Sequence, residues 1–173
     1  MDAPFIVSQV AAELQAAVAQ AENARVLAAF AGTSGILTGT GTNATVVDAV
    51  ADAISGQESI SGLTPSAVIA NPTVVATIRK SKASTAGTYM LDPTQPGPST
   101  IFGVPVYSTP ATAAATAWIV ERSGVAVYRR GPLTVDVGTA NDDFVKNLRT
   151  LRAEERVGTA VLRPSSLTKL TLS

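Results

Sequence analysis

The sequence contains no cysteine and no histidine in its 173 residues. Disulfides, thiolate nucleophiles and zinc sites built from cysteine and histidine are therefore excluded. Without histidine the chain also lacks the imidazole base of a serine-type triad, and the side chain that ordinarily titrates near neutral pH. The composition argues against the commonest forms of nucleophilic and metal catalysis.

A charge excess of one sign and long apolar runs are also absent. Thirteen basic residues balance 13 acidic ones, so the net charge of zero gives no electrostatic footprint for nucleic acid or an acidic membrane. No apolar run approaches the ~18 residues of a membrane span, and no basic region precedes an apolar stretch at the N-terminus. We therefore expect a soluble intracellular protein with no membrane partner, built as one domain or two small lobes.

The apolar residues that are present begin with a long helical pattern. The chain is 46% hydrophobic but only 5% aromatic, so small aliphatic side chains dominate. A helix is predicted over 1–32, with Glu13 and Glu22 exposed. Its predicted apolar stripe consists of Ile6, Val10, Leu14, Ala17, Ala21, Ala24, Leu27 and Phe30.

Helices and strands alternate irregularly along the rest of the chain. Short helices are predicted from Thr45 to Ser55 and from an Asn71-Pro72 cap to about Lys82. A Pro/Gly-rich stretch, 84–103, is expected to be an exposed loop. Strands are predicted over 66–70, 104–108, 133–137, 151–161 and 167–172, with a hairpin over 117–130 that turns at Arg122–Gly124. The predicted fold class is α+β.

A glycine-rich stretch between the first two helices raises the possibility of a phosphate-binding loop. Gly32, Gly35, Gly39 and Gly41 could expose backbone N–H groups to a phosphate. However, a helix precedes this loop where nucleotide motifs require a strand, and no Gly-Lys-Ser/Thr follows. A turn-rich connector is the favoured interpretation, and a nucleotide-binding enzyme using Gly32–Gly41 is kept as a minor alternative.

Eight of the charged residues fall between Asp142 and Arg156, in the segment DDFVKNLRTLRAEERVG. Its acidic residues are adjacent in pairs, so in an extended chain they point to opposite sides and cannot flank one bond. A strand is favoured over a helix here because Val157-Gly158-Thr159 disfavours helical continuation. On that strand Glu154 would lie between Arg152 and Arg156 as an ion-pair ladder, at either a subunit interface or a solvated edge.

These residues resemble a known family. The segment DFVKNLRTLRAEERVGTAVLRPSSL is similar to the C-terminal signature of tailed-phage major capsid proteins, which have the Hong Kong 97-type fold shared with encapsulins. The stretch beginning DAPFIVSQV resembles the family's long spine helix. The stretches SAVIANPTVVATIRK and IFGVPVYST resemble its strand, its Asn-Pro helix and its Gly-x-Pro-Val strand. The resemblance covers nearly the whole chain in order.

The resemblance implies an architecture and a function. A peripheral lobe would combine 1–40 with 140–173, and an axial lobe would span 41–139. Copies of the chain, as pentamers and hexamers, would tile an icosahedral head shell around packaged double-stranded DNA. The protein would belong to the virion capsid, and to the host cytoplasm during assembly. No catalytic residue, metal or cofactor is implied, and an encapsulin-type nanocompartment shell is the alternative.

Some members of the family join their subunits by an isopeptide bond between a lysine and an asparagine, with a glutamate as base. Asn147 and Glu154 match the asparagine and glutamate positions, but the lysine lies in an extended loop before the spine helix, where this sequence begins. We therefore expect a core lacking that loop and the N-terminal arm, without self-cross-linking. The implied role is subunit contact, by Asn147, Arg149, Arg152, Glu154 and Arg156.

Overall fold

The computed structural model describes residues 3–82, 87, 89 and 99–173. Within these residues the chain forms three α-helices and ten strands, which confirms the α+β class. The helices are α1 (Ala3–Ala31), α2 (Val46–Ser61) and α3 (Pro72–Lys80). The strands are β1 (Leu37–Gly41), β2 (Ala67–Ala70), β3 (Thr100–Ile101), β4 (Val104–Ser108), β5 (Thr116–Val120), β6 (Val125–Arg129), β7 (Thr134–Gly138), β8 (Thr150–Glu154), β9 (Val157–Val161) and β10 (Leu167–Leu172).

The chain divides into two compact units. The hairpin unit consists of Met1–Val26 and Val127–Thr159, and the sheet unit consists of Leu27–Ala126 and Ala160–Ser173. These limits differ from those of the predicted lobes, because β10 belongs to the six-stranded sheet rather than to the C-terminal strands of a peripheral lobe. The peripheral and axial assignments themselves stay predictions.

The sheet unit is built on a six-stranded sheet in the order β1-β10-β5-β2-β4-β3. Two pairings, β1 with β10 and β2 with β4, are parallel, and the others are antiparallel. All five residues of β5 are buried, since a strand in the middle of a covered sheet faces packing on both sides. β5 is flanked by β10 and β2, so the apolar interior is centred on these three strands.

Both faces of this sheet are covered by apolar side chains. On one face, α2 and α3 contribute Val50, Ile54 and Ile78 to a cluster that includes Ile119 and Leu170. Trp118 points to the opposite face because successive strand residues alternate. There its ring meets that of Phe30 edge-to-face, with centroids 5.8 Å apart.

The helix α3 begins as the sequence predicts. Asn71 is its N-cap, accepting a hydrogen bond from the Thr73 N–H at 3.0 Å, and Pro72 occupies the first turn. Helix α2 is longer than predicted, and it ends at Gly62, which adopts the left-handed conformation that suits glycine.

The hairpin unit contains the first part of α1 and the antiparallel hairpin of β7 and β8. The hairpin register pairs Gly138 with Thr150 at the loop end and Thr134 with Glu154 at the other end. Strands β6 and β9 form a separate two-stranded sheet.

Three predictions about strands are wrong. Residues 117–130 form no hairpin, because β5 pairs with β10 and β2 while β6 pairs with β9. The long strand over 151–161 is interrupted between Glu154 and Val157, where the chain leaves the β7–β8 pair and joins β6. The glycine-rich connector contains a strand, β1, that pairs with β10. The predicted loop at 84–103 lies mostly outside the described residues.

The covered side of α1 agrees with the predicted stripe only at Leu14, Leu27 and Phe30. Ile6 and Val10 are exposed, whereas the half-buried row is Val7, Ala11, Leu14, Val18 and Glu22. The sequence misleads here because apolar residues occupy two neighbouring rows of the helix, and periodicity alone does not say which row is covered. The expectation that Glu22 is exposed is wrong as well.

Candidate functional site

One face of the β7–β8 hairpin carries a row of alternating charges. Asp136 accepts a hydrogen bond from Arg152 at 3.2 Å, Arg152 lies 3.8 Å from Glu154, and Glu154 lies 3.3 Å from Arg156. These four side chains, which we call the charge row, are 42–68% exposed. The predicted Arg-Glu-Arg ladder therefore exists, and Asp136 extends it across the strand pair.

The other face of the hairpin is apolar. Val135, Leu151 and Ala153 are half-buried there, because they alternate with the charged positions along each strand. Exposed ion pairs of this kind contribute only about 0–1 kcal/mol each. The charge row is therefore not what holds the hairpin together.

The 11-residue loop that joins β7 to β8 is organised by one carboxylate. Asp143 accepts hydrogen bonds from the Ala140 N–H at 2.9 Å and from the Thr150 hydroxyl at 2.5 Å. The Thr150 hydroxyl and then the Ala140 N–H lower the pKa of the Asp143 carboxyl, since both stabilise the ionised form. The Leu148 N–H donates to the Asp143 carbonyl at 2.8 Å, which closes the turn.

This ordered loop exposes apolar side chains at its tip. Phe144 and Val145 are each 85% exposed, and Leu148 is exposed beside them. An exposed Phe-Val pair on a turn that a carboxylate holds is unusual for a surface that meets only water. We call Phe144, Val145 and Leu148 the apolar tip.

The remaining predicted site residues lie at this same end of the hairpin. Asn147 adopts a left-handed backbone conformation, with φ of 53°, in the turn that contains the apolar tip. Arg149 is exposed just before β8. Glu154 lies at the far end of β8, so the structure groups it with Arg152 and Arg156 rather than with Asn147.

A second ion cluster was missed by the sequence analysis. Arg129 contacts Glu22 at 2.5 Å and Glu155 at 3.0 Å, and the two glutamate side chains are only 13% and 10% exposed. This triad joins α1 to β6 and to the segment after β8. The available signal was the position of Glu22 on the same helical row as Val7, Leu14 and Val18.

Two of the glycines in the predicted connector, Gly39 and Gly41, allow close packing around β1. A Cβ atom at Gly41 would lie 2.4 Å from the Cβ of Ala49, and one at Gly39 would lie 3.3 Å from the Leu170 side chain. Both glycines lie in β1, where Gly41 admits α2 at short range and Gly39 leaves room for the Leu170 side chain of β10.

The groove beside these glycines does not suit a phosphate. It has a volume of about 390 Å³ between β1 and α2, and Asp52 is the one charged residue among its lining residues. A carboxylate repels a phosphate, and the groove supplies no cation to offset it. The nucleotide-enzyme alternative loses its structural support.

Gln57, at the inner end of the same groove, is engaged in the fold. Its amide N–H donates to the Ser166 carbonyl at 2.9 Å, and its amide oxygen accepts from the Thr168 hydroxyl at 2.8 Å.

Among the described residues, no cluster of three or more acidic side chains could hold a metal ion. Likewise, no helix in that part of the chain is long and apolar enough to cross a membrane.

Comparison with known proteins identifies the family. The family model described as the phage capsid family matches residues 1–172. The chain belongs to the phage capsid family. The predicted family is thereby confirmed.

Solved structures share the fold of this phage capsid family chain at low sequence identity. A virus-like particle from Pyrococcus furiosus has a TM-score of 0.64 and 17% identity over 88% of this chain and 63% of that one. A Gordonia phage Cozz structure has a TM-score of 0.63 and 13% identity over 82% of this chain and 51% of that one. A Mycobacterium phage Che8 structure has a TM-score of 0.56 and 17% identity, with 76% and 53% covered.

The phage capsid family chain therefore spans about half to two thirds of the length of these solved chains. No curated protein matches its sequence.

Proposed function

We propose that this chain is a shell subunit whose copies associate through the hairpin unit to build an icosahedral phage or prophage head around DNA. The observation that supports this most is the makeup of the hairpin unit. Its described residues include no fully buried apolar side chain, while it exposes the apolar tip and the charge row. Such a surface resembles half of an interface more than a finished exterior.

The proposed contact residues are those that the sequence analysis selected. Arg152, Glu154 and Arg156 would form the polar part of the contact, and Asn147 and Arg149 would flank the apolar tip. A mixed surface of this kind suits association, because apolar area supplies free energy while charges fix orientation and partner choice. The hairpin unit would correspond to a peripheral-type lobe and the sheet unit to an axial-type lobe.

The proposed role is structural and without catalysis. DNA would be the packaged content of the shell rather than a ligand of one subunit, which fits a net charge of zero. The protein would lie in the virion capsid, after assembly in the host cytoplasm. A nanocompartment shell that encloses protein cargo is the competing function of the same fold.

Sedimentation velocity over a concentration series, with electron microscopy of the same samples, tests this function. We expect oligomers that grow with concentration in the wild-type protein. The double variant Phe144→Ser/Val145→Ser should sediment as a monomer with an unchanged circular dichroism spectrum. Tyr107→Ser, which removes an exposed aromatic from the sheet unit, is the matched control and should leave association unchanged.

A wild-type chain that remains monomeric at every concentration would contradict the proposal. If shells form, their co-purifying content separates the two shell functions. DNA would support a head shell, and an enclosed protein would support the nanocompartment instead.

A further inference from the structure

The two outer strands of the six-stranded sheet differ in how their free edges are protected. Proteins ordinarily guard an outer strand by shortness, by charged side chains or proline, or by a bulge, because a free edge can pair with another chain. β3 has two residues, so it presents almost no edge. β1 has five, Leu-Thr-Gly-Thr-Gly, with no charge and no proline, and it pairs with β10 residue for residue. The edge of β1 therefore has none of these protections.

This edge presents the backbone groups of Thr38 and Thr40. The Gly41 carbonyl accepts a hydrogen bond at 3.0 Å from the N–H of Ser173, which follows β10 directly. The N–H and C=O of one strand residue point to the same side, and successive residues alternate. Every second residue back from Gly41 thus points to β10, while Thr38 and Thr40 point away from it. Their two donors and two acceptors face an edge that no strand of the described residues pairs with.

The groove of about 390 Å³ between β1 and α2 runs along the same edge. Its lining includes the five consecutive residues 36–40. Successive side chains of a strand point to opposite faces, so a groove confined to one face would be lined by every second residue. A lining by all five shows that the groove opens onto the edge itself. An extended segment lying in the groove would reach the outward backbone groups of β1.

The α2 wall of the groove has a repeat that fits an extended chain. Asp52, Gly56 and Ile60 line this wall four residues apart, so they form one row with a spacing of about 6 Å. Alternate residues of a strand are about 6.6 Å apart, which is nearly the same. Ile60 is 62% exposed, and a Cβ atom at Gly56 would meet nothing within 4 Å. These two positions leave room for two apolar side chains.

We propose that β1 and this groove form a strand-addition site for an extended segment of another polypeptide, with two alternate apolar side chains followed by a lysine or arginine. The backbone of the segment would pair with Thr38 and Thr40. Its apolar side chains would contact Ile60 and cover Gly56, and its cation would meet Asp52. This goes beyond the proposed function, because the site belongs to the sheet unit and uses neither the apolar tip nor the charge row.

The charge of α2 determines which partner fits. The helix carries Asp48, Asp52 and Glu58 and no basic residue. Because α2 packs over β1, pairing the β1 edges of two copies would place two acidic helices side by side, and these would repel each other. A basic segment is attracted to the same helix. The charge therefore favours a basic partner over a second copy of this edge.

Two capped peptides that differ only in charge test the site, namely Lys-Thr-Val-Thr-Val-Thr-Lys and Glu-Thr-Val-Thr-Val-Thr-Glu. Each is charged at both ends, so one charge reaches Asp52 whichever way the peptide runs along β1. Fluorescence anisotropy of labelled peptides measures their affinity for the full chain. We expect the lysine peptide to bind at least ~3-fold more tightly. Its binding should slow hydrogen exchange at the Thr38 and Thr40 amides, because these N–H groups become hydrogen-bonded.

Three variants of the site separate specific from non-specific binding. Asp52→Lys should reverse the preference, so that the glutamate peptide binds more tightly. Thr40→Pro removes an outward N–H and no bond to β10, and it should weaken binding at least ~5-fold. Gly56→Leu fills the groove from a helical position, so it should prevent binding without lowering the melting temperature. This variant tests the site even where Thr40→Pro does not fold.

Thr100→Pro is the matched control on the opposite edge of the sheet. The Val106 N–H donates to the Ser99 carbonyl at 2.7 Å, so Thr100, the next residue, points its N–H away from β4. The substitution removes an outward N–H from β3, as Thr40→Pro does from β1. It should leave peptide binding unchanged.

Three results would overturn the inference. Equal affinity for the two peptides, or no binding of either, would mean that the groove does not select a basic segment. Equal weakening by Thr40→Pro and Thr100→Pro would mean that the β1 edge is not the site. The third result concerns Phe144→Ser/Val145→Ser, which lacks the apolar tip. If this variant forms dimers that Thr40→Pro separates, the occupant of the edge is a second copy of the chain.

Discussion

The two units of the chain differ in the kind of interaction that each contains. All the fully buried apolar side chains found in the described residues belong to the sheet unit, and all the ion pairs found there belong to the hairpin unit. The sheet unit buries its apolar residues around β5, whereas the hairpin unit leaves Phe144 and Val145 in water. The sheet unit has an apolar core of its own, whereas the described residues of the hairpin unit do not form one.

This difference indicates where free energy remains available for association. Burying apolar surface contributes roughly 25 cal/mol per Å² to stability or binding. The sheet unit already buries most of its large apolar side chains within its own fold. The apolar tip of the hairpin unit is still exposed, so its burial in a contact would add free energy of association. Substitutions of buried apolar residues in the sheet unit should therefore affect stability, whereas substitutions in the apolar tip should affect association.

The largest effect should come from truncating the interior of the sheet unit. Leu170→Ala removes a fully buried side chain from β10 and should lower the free energy of unfolding by about 2–5 kcal/mol. Leu148→Ala removes the same atoms from the exposed apolar tip and should change it by less than about 0.5 kcal/mol. Chemical denaturation of the two variants measures both values. Similar losses would mean that the tip is packed and that the contrast between the units is false.

The next largest change in stability is expected where α2 approaches β1 closely. Gly41→Ala places a Cβ atom within 2.4 Å of Ala49 and should cost about 1–3 kcal/mol, because backbone and helix must move apart. Gly56→Ala in α2 meets nothing within 4 Å and should instead stabilise the helix by roughly 0.5–1 kcal/mol. Opposite shifts in melting temperature are expected. Equal destabilisation would show that the glycines have a different role.

The ion triad should be the most sensitive point inside the hairpin unit. Arg129→Met leaves the largely covered carboxylates of Glu22 and Glu155 without their cation and should cost about 1–3 kcal/mol. Arg130→Met removes a neighbouring exposed arginine and serves as the control. Hydrogen exchange should locate the loss of protection to β6 and the adjoining part of α1. Unchanged exchange would mean that the triad contributes nothing.

The smallest effect concerns pH at the loop. The pKa of the Asp143 carboxyl is lowered by Thr150 and Ala140, so its contribution is fully present above the ordinary value of 3.8 and is lost as the pH falls through the lower folded value. Amide chemical shifts of Ala140 and Leu148 should follow this titration. In Thr150→Val the transition should move to higher pH, since the hydroxyl that stabilises the ionised form is gone. An unmoved transition would contradict the assignment.

The sequence predicts local structure better than it predicts partners. The capped start of α3, the strand β4 and the alternation of β8 follow from residues a few positions apart, and all are present. The pairing of β1 with β10 and of β6 with β9 joins residues far apart in the chain, and no local pattern specifies it. The predicted 117–130 hairpin failed for that reason, because adjacency in sequence was taken for adjacency in the sheet.

The candidate site was partly accessible from sequence. Alternation along β8 placed Arg152, Glu154 and Arg156 on one face, and the structure brings these three together. Asp136 could not be added, since its place depends on the register of β7 against β8. The exposure of Phe144 and Val145 was also hidden, because an apolar pair in a sequence is ordinarily read as buried.

The position of β10 has a consequence for how the subunit is made. Of the ten strands this one is synthesised last, yet it lies between β1 and β5, and its partner residues in β1 were synthesised about 130 positions earlier. The six-stranded sheet therefore cannot close until residue 172 has been synthesised, because the position between β1 and β5 stays empty until then. Until then β1 lacks its β10 partner and β5 lacks one of its two partners, so the growing chain exposes unpaired strand edges.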